Sequence, residues 1–444
     1  MPKSFNNSDF VHLHCHTEKS SFDGLANLKK FVFNAREMGF PAVAVSDHGT
    51  MAGAVQLLKL AKTSKGCDAP PIKPIIGVEA YMSLNRKEKN KNSSAGNHHI
   101  LLLAQNFQGY KNLCELVDRS WTEGYYRKPR IDMEIFSEYS DGIIASSGCP
   151  ASIINANLIY GRKEQAVKTA SLFKDILGDR FFMELMYHGL DIEDQIIPDI
   201  LDISKDLDIP AFASNDMHYL HKDDAKTHDV FLSMSQRTCV HNPNRISFGY
   251  DEYYMKSANE MGKMFGHLPN LLYNTVAIAE MIDSDDIHNN LFNSFMRLPD
   301  PRKVVPEKYF SDPRIVDPEY DPQYFCLWDK VEEGQKKLGW HKSDFYIERI
   351  KMEMGDIRVA WEANKMDFAT YFLVVEDYIS WAKNQGILVG FGRGSAAGAA
   401  ISACLGITSK VCPQKHGLLW ERFLAFQPQI YVSEDDFGFE EKTH

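Results

Sequence analysis

Short apolar runs separated by amphipathic stretches organise the first 285 or so residues. The runs fall at Phe10–His14, Ala42–Ser46, Ile72–Val78, Ile100–Ala104, Gly142–Ala145, Phe181–Leu185 and Pro210–Ala213. Their brevity and their content of Val, Ile, Leu and Phe predict buried strands. Between several of them lie amphipathic segments, Leu28–Met38, Gln165–Leu177 and Gln195–Leu207, that predict helices with one buried face. Strands separated by helices favour parallel pairing and a βα architecture, open or closed. Asp283-Ser-Asp-Asp286 and the proline-bearing Leu298–Asp317 then read as a linker or irregular connection. Helical periodicity returns across Tyr346–Lys365 and Tyr371–Lys383, and no internal repeat or low-complexity tract occurs. The expected organisation is two domains, residues 1–285 and 286–444.

Composition narrows the class. At 444 residues, with 44% hydrophobic and 25% charged positions, the chain reads as globular and long enough for two or three domains. No apolar run approaches a membrane span, and the N-terminus lacks a charged-then-apolar signal pattern, so no membrane partner is expected. The eight cysteines are scattered without a CxxC pair, which argues for reduced thiols in a cytoplasm rather than a disulfide framework. A net charge of −11 counts against nucleic-acid binding without excluding it, because local basic surfaces and metal-bridged phosphates can hold DNA. Of two basic stretches, Asn85–Asn92 reads as a solvated loop. The other, Tyr125-Tyr-Arg-Lys-Pro-Arg130, interleaves aromatics with cations, which suits backbone contacts plus base stacking.

The richest chemistry is in Val11-His-Leu-His-Cys-His-Thr17. On an extended strand, positions i and i+2 share a face, so His12, His14 and His16 are expected on one side. Packed imidazoles bury polar nitrogens that need partners, and a metal supplies them. Further candidates are Asp23, Asp47/His48, Glu79, His98/His99, Cys149 and Asp216/His218. Most follow a predicted strand, where βα barrels collect their active sites; His99 instead opens one. Histidine, carboxylate and cysteine together suit zinc, manganese or iron, and so many donors imply more than one ion. Clustered divalent ions hydrolyse phosphate esters, so a phosphoesterase follows from residue types alone. The competing reading is a scatter of unrelated histidines, with Asp47 structural beside His48.

In the second region, Gly390-Phe-Gly-Arg-Gly-Ser-Ala-Ala-Gly398 follows the apolar run Ile387–Val389 and precedes a helical pattern. Glycines let backbone amides approach a phosphate, and a helix N-terminus favours the anion. Arg393 adds a bidentate donor. Tight turns use glycine as well, so the loop alone is not specific.

Phe10-Val-His-Leu-His-Cys-His-Thr-Glu18, Ser21-Phe-Asp-Gly24, Ser46-Asp-His-Gly49 and Ile76-Gly-Val-Glu79 resemble the PHP (polymerase-and-histidinol-phosphatase) domain, in the form carried by bacterial C-family replicative polymerases. Gly124-Tyr-Tyr-Arg-Lys-Pro-Arg-Ile-Asp132, Ser147-Gly-Cys149, Ser214-Asn-Asp-Met-His-Tyr-Leu220 and Thr227-His-Asp-Val230 are similar to phrases of the same family. The resemblance implies an α/β fold, a distorted (β/α)7 barrel, holding up to three divalent ions, zinc or manganese. It puts the ligands on His14, His16, Asp23, His48, Glu79, His99, Cys149, Asp216 and His218, leaving His12 and His98 as structural or supporting residues. Members that have lost ligands use the domain as a scaffold; the full set implies a metal-dependent 3′→5′ proofreading exonuclease.

Tyr371-Phe-Leu-Val-Val-Glu-Asp-Tyr378, Trp381-Ala-Lys383, the glycine-rich loop and Gly417-Leu-Leu-Trp-Glu-Arg-Phe-Leu424 resemble the first part of the C-family palm, a polymerase-β-like nucleotidyltransferase fold. By that likeness Gly392, Arg393, Gly394 and Ser395 contact the triphosphate of an incoming dNTP, with Phe391 where the family usually has Pro. Asp436 then stands at the first magnesium position, Gly438 at the second, and further palm, fingers and thumb would lie beyond His444. Two-metal transfer needs several carboxylates, so this chain alone is not expected to polymerise. The implied partners are DNA, dNTPs, replisome proteins and a second chain carrying the rest of the polymerase, with an interrupted coding sequence as the alternative. Two rivals share part of this pattern: a stand-alone phosphatase of the histidinol-phosphatase type, which predicts no palm, and a non-catalytic replisome scaffold.

Overall fold

The computed structural model describes residues 4–20, 23–89, 97–292, 298–392, 394–409 and 411–424. The chain divides into two compact units, Met1–Asn293 and Ser294–His444. In the first, seven strands form one curled sheet: β1 (Ala42–Val45), β2 (Lys73–Met82), β3 (His98–Ala104), β4 (Arg130–Ile131), β5 (Ile143–Ser146), β6 (Phe181–Met186) and β7 (Ala211–Ser214). The order is β1-β2-β3-β5-β6-β7, with β4 added to β2. The fold is mixed α/β, a distorted barrel with an additional domain.

Helices Ala54–Lys62, Lys163–Leu177 and Asp191–Asp206 separate β1 from β2, β5 from β6 and β6 from β7, and those pairs are parallel as expected. The expectation fails at β3, which runs antiparallel to both β2 and β5. Among the described residues no helix connects β2 to β3, and an antiparallel neighbour needs no helical crossover. The reversal has a consequence for chemistry. It sets the start of β3 beside the end of β2, with Tyr81 opposite His99 and Glu79 opposite Leu101, so a residue that opens its strand reaches the same rim.

The predicted strand at Phe10–His14 is not a regular strand either. It is an extended segment with a bend at His14. On one side Ala44 N donates to the His12 carbonyl and Ser46 N to that of Cys15; on the other, His16 N donates to the Met217 carbonyl and Met217 N to that of His14. The segment therefore joins β1 to the residues just past β7 and closes the sheet.

Alternation sorts the strands into an apolar end and a polar end. Ile75, Leu101, Leu103, Ile144, Phe182 and Phe212 fill the interior with Val11 and Leu13, and helix Asn270–Glu280 adds Ile278 and Ala279. Further along the same faces come Glu79, His99, Ser146, Glu184 and Ser214. The other sheet face packs Val43, Ile76, Leu102 and Met183 against helix residues such as Phe31, Leu57 and Phe173.

Asp283–Asp286, expected as a linker, starts a helix instead. Asp283 Oδ1 accepts from Asp286 N at 2.9 Å, an N-cap, and the helix Ser284–Phe292 buries Ile287 in the first unit's core. The second unit is helical throughout its described residues, built on Asp321–Lys337, Asp344–Asn364, Phe368–Asn384 and Ala400–Cys404. Its core includes Tyr320, Leu327, Met354, Ile357, Phe372 and Trp420. No helix among the described residues is long and apolar enough to cross a membrane.

Leu103 is buried inside the barrel, whereas Leu84 is 90% exposed. Leu103→Ala should lower the urea midpoint by the equivalent of about 2–5 kcal/mol, through lost apolar contact and the cavity left behind. Leu84→Ala should change stability by less than about 0.5 kcal/mol. Equal midpoints for the two variants would contradict the assignment of the interior core.

Candidate metal centre

Nine side chains meet at the polar rim: His14 and His16 from the closing segment, Asp23 from the loop after it, His48 after β1, Glu79 on β2, His99 on β3, Cys149 after β5, and Asp216 and His218 after β7. Glu79 is the hub. Its Oε1 lies 3.3 Å from His14 Nε2 and 2.9 Å from His99 Nδ1, while Oε2 lies 3.4 Å from His16 Nε2 and 2.7 Å from His48 Nδ1. Asp216 Oδ1 sits 3.5 Å from His14 Nε2 and 3.1 Å from His16 Nε2. Asp23 reaches His48 Nε2 at 2.8 Å and His218 Nε2 at 3.5 Å, and Cys149 Sγ is 3.3 Å from His99 Nδ1.

Local structure explains several of these placements. The bend at His14 breaks the alternation, so Leu13 faces the inner core while His14 and His16 both reach the rim. His12 therefore does not share their face, contrary to expectation. Its Nε2 donates to the Lys256 carbonyl at 2.8 Å, and its ring packs on Phe10 and Phe40; burial brings its pKa down to about 4. His98 also stays outside the cluster, 3.3 Å from the Ala151 carbonyl. A side chain at Gly24 would put its Cβ 2.1 Å from the Thr17 carbonyl oxygen, so only glycine lets the Asp23 loop close on the segment. His228 Nε2 donates to the Asp23 carbonyl at 2.6 Å and holds that loop from the other side.

Hydrogen bonds on the far nitrogens set the imidazole tautomers. His14 Nδ1 donates to Glu184 Oε1 at 2.8 Å, and Glu184 also accepts from Ser146 Oγ and Ser214 Oγ at 2.5 Å each. His218 Nδ1 donates to the Asp216 carbonyl at 2.7 Å. Ser20 Oγ gives its proton to Asp47 Oδ1 at 2.8 Å, so its oxygen accepts from His16 Nδ1 at 2.9 Å. Each partner fixes a proton on Nδ1 and leaves Nε2 as the nitrogen that faces the centre, the arrangement of metal-binding imidazoles. Asp47, which also accepts from Thr17 N at 2.7 Å, is thus a support for Ser20 and His16.

His14 Nε2, His16 Nε2, Asp23 Oδ1, His48 Nδ1, Glu79 Oε2 and Asp216 Oδ1 are buried and make no hydrogen bond. They are close, but their directions are wrong for hydrogen bonding. Such orphaned atoms are costly in a folded interior. Donors on a tetrahedral ion at 2.0–2.1 Å would stand about 3.3 Å apart. The 3.1–3.5 Å separations among His14, His16, Glu79 and Asp216 match that edge. His16/His48/His218, His14/His16/Glu79 and His48/Glu79/His99 form three overlapping triads whose donor atoms lie within 4.8 Å. The donor set fits divalent metals.

Electrostatics say the same. Burial opposes charge throughout the cluster, and opposite charges overcome it at His14, His48, Glu79 and Asp216. His48 is pushed up to about 10 by Glu79 and Asp23 despite its burial. Against the same penalty His14 is held well above the usual imidazole range by Glu184, Asp216 and Glu79. Glu79 and Asp216 are held below the ordinary carboxyl range by the surrounding histidines, again against burial. His16 falls to about 3 through burial and the neighbouring charges of His48 and His218. Burial, then Glu79 and Asp216, push the Cys149 thiol well up, so it becomes a ligand only where an ion's charge removes its proton.

Glu184 was not among the expected residues. Its signal was present: a lone carboxylate in the apolar run Phe181–Met186. Tyr81 was missed as well; its ring stacks 5.6 Å from His48 and meets His99 edge-on at 5.1 Å.

In the second unit, Gly392 and Gly394 have φ of +150° and +74°, and Ser395–Gly398 forms one 3-10 turn. Arg393 and Asp436 lie outside the described residues. The following helix N-terminus does not offer itself to an anion as expected. Ala400 N and Ile401 N both donate to the Glu353 carboxylate at 2.9 Å, so any phosphate contact would come from the glycine loop's own amides.

The PHP domain family matches residues 12–188, and the bacterial DNA polymerase III alpha NTPase domain matches residues 326–437. DNA polymerase III subunit alpha from Campylobacter jejuni is 36% identical over 94% of this chain, that from Saccharopolyspora erythraea 36% over 96%, and that from Treponema pallidum 33% over 98%. The chain belongs to the bacterial DNA polymerase III alpha family, combining a PHP domain with part of the alpha NTPase domain. It spans 35–36% of the length of these three relatives.

Two measurements test the centre. Since His14 and His48 hold protons tightly in the metal-free protein, binding zinc or manganese should expel protons, and apparent affinity should climb with pH up to about 10. Calorimetric titration in buffers of different ionisation enthalpy counts those protons; zero release would contradict the donor assignment. Glu184→Gln should weaken zinc binding about 10–100-fold in chelator competition, because His14 loses its anionic support.

Proposed function

We propose that the chain is the part of a DNA polymerase III alpha subunit that carries a metal-dependent 3′→5′ exonuclease and the first portion of the polymerase palm. One observation carries the exonuclease reading: nine donor residues converge on a rim where six of their atoms are buried and make no hydrogen bond. His14, His16, Glu79 and Asp216 would hold one ion. His48, His99 and Cys149 would share Glu79 around a second, and Asp23 with His218 would complete a third. Zinc or manganese suits this mixture of imidazole, carboxylate and thiolate.

When bound, such ions polarise a phosphodiester and neutralise charge on its oxygens. The chain's own residues do the rest. Glu184 and the Ser20–Asp47 pair keep His14 and His16 aimed, so little reorganisation accompanies the reaction. Glu79 and Asp216, anionic and buried, compensate cationic charge in the site. Of the nine donors, Asp23 and His99 are the most exposed, their side chains at 27% and 21%, and the 3′ end of a DNA strand would approach from their side. In the second unit the proposed triphosphate contacts are Gly392, Arg393, Gly394 and Ser395, with Asp436 as a magnesium ligand. DNA, dNTPs, replisome proteins, a cytoplasmic setting and a complementing chain with the remaining polymerase belong to this same proposal.

The purified chain, loaded with manganese or zinc, should shorten a 5′-labelled single-stranded oligonucleotide stepwise from its 3′ end. His14→Ala should reduce the rate about a hundredfold or more. Faster hydrolysis of a small phosphomonoester than of the oligonucleotide would favour a histidinol-phosphatase-type enzyme. Absence of both activities in a folded, metal-loaded protein would leave a scaffold.

A further inference from the structure

Beside the metal rim, on the side of His48 and His99, the last turn of helix Phe107–Thr122 and the stretch after it carry two exposed aromatic rings and two cations without acidic partners. Trp121 and Tyr125, 50% and 46% exposed, stack on one another at 5.4 Å between centroids with 13° between planes. Arg127 and Lys128 follow, both exposed, and among the described residues neither pairs with a carboxylate. Their neighbours do: Arg86 is taken by Glu123, Asp132 and Glu134, and Arg119 by Glu123 and Glu138. Arg130 nearby is buried and donates to the carbonyls of Gly124, Arg86 and Glu88, so Arg127 and Lys128 are the cations this stretch presents to solvent.

This strip is fastened by two hydrogen bonds to residues that adjoin the candidate ligands. Trp121 Nε1 donates to the Gly49 carbonyl at 2.9 Å, one residue beyond His48. Gly49 has φ +60° and no room for a side chain, since an added Cβ would meet Pro129 Cγ at 2.7 Å. Lys128 Nζ donates to Tyr81 Oη at 3.0 Å, and the Tyr81 ring lies directly against His48 and His99. Arg127 is held in the left-handed region, φ +64°, a conformation arginine adopts only under constraint.

We infer that Trp121, Tyr125, Arg127 and Lys128 form the guide for single-stranded DNA entering the metal centre, with bases stacked on the aromatic rings and phosphates met by the two cations. The inference rests on the exonuclease reading and deepens it by assigning where the strand lies. Stacking rings tolerate any base and cations follow the backbone, which is what a nuclease without sequence preference requires. The charge complements a polyanion, and the strip is continuous through Tyr81 and Gly49 with the rim where the terminal phosphodiester would be cut.

The test uses the full chain with chelator present, so that binding is read without hydrolysis, by fluorescence anisotropy of a labelled twelve-nucleotide thymidine strand. Tyr125→Ala and the pair Trp121→Ala/Tyr125→Ala should weaken binding progressively, about tenfold or more for the pair. Arg127→Ala/Lys128→Ala should lower the slope of log affinity against log salt by about 1.4, at about 0.7 per phosphate contact on a single strand. Tyr160→Ala/Arg162→Ala, another exposed aromatic beside an arginine, should match the unmodified protein. With metal loaded, the ratio of kcat/KM for the oligonucleotide to that for a small aryl phosphodiester should fall in the strip variants. Unchanged affinity in the Tyr125 variants, an unchanged salt slope in the Arg127/Lys128 variant, or no binding by the unmodified chain would each overturn the guide. Strand binding through the strip with no cleavage of either substrate would sink the exonuclease reading and leave the guide standing.

Discussion

Six buried polar atoms with no hydrogen-bond partner, gathered around Glu79, are the constraint that organises the first unit. A protein interior does not normally tolerate such a group. Every feature around the rim makes sense as a way of holding these atoms together until an ion satisfies them. Glu184 carries His14, Ser20 and Asp47 carry His16, and the Asp216 carbonyl carries His218. Opposite charges across the cluster offset part of the desolvation that burial imposes. The apolar plug at the other end of the barrel, from Ile75 to Phe212, supplies the cohesion that lets the rim carry this load.

The barrel departs from a simple alternation of strands and helices at two places, and both departures serve the rim. Reversing β3 brings His99 to the end of β2 beside Glu79. Bending the closing segment at His14 lets that residue and His16 face the centre while Leu13 remains in the core. A regular parallel strand at either position would have sent a ligand to the wrong end or the wrong face. The strip on the His48 side extends the same economy, because Gly49 and Tyr81 both support ligands and anchor Trp121 and Lys128.

The family relationship sets the scale of what the chain carries. Similarity to DNA polymerase III alpha subunits runs through both units but covers only 35–36% of those three proteins' length. The described part of the second unit is a helical core that buries Trp420, with Glu353 capping the helix that follows the glycine loop. That cap shifts attention from the helix N-terminus to the loop's own amides as the place where a phosphate would be met.

The residue types alone determined much of this protein. The HxHxH segment, the carboxylates and cysteine placed after apolar runs, and the quoted family motifs were readable without coordinates, because ligand chemistry depends on side-chain identity and because strand ends can be counted along a chain. Tertiary structure decided which of those residues meet. His12 fits the same spacing as His14 and His16, yet a single bend sends it to Lys256 and Phe40. Asp283 looked like part of a linker and became a helix cap. Glu184, a lone carboxylate in an apolar run and not among the expected residues, is the support of His14. The strand direction of β3, and so the use of His99, was invisible because pairing direction depends on how a connection folds back rather than on the pattern within the strand. Local periodicity reports the face a residue occupies, but long-range hydrogen bonds set which faces are brought together.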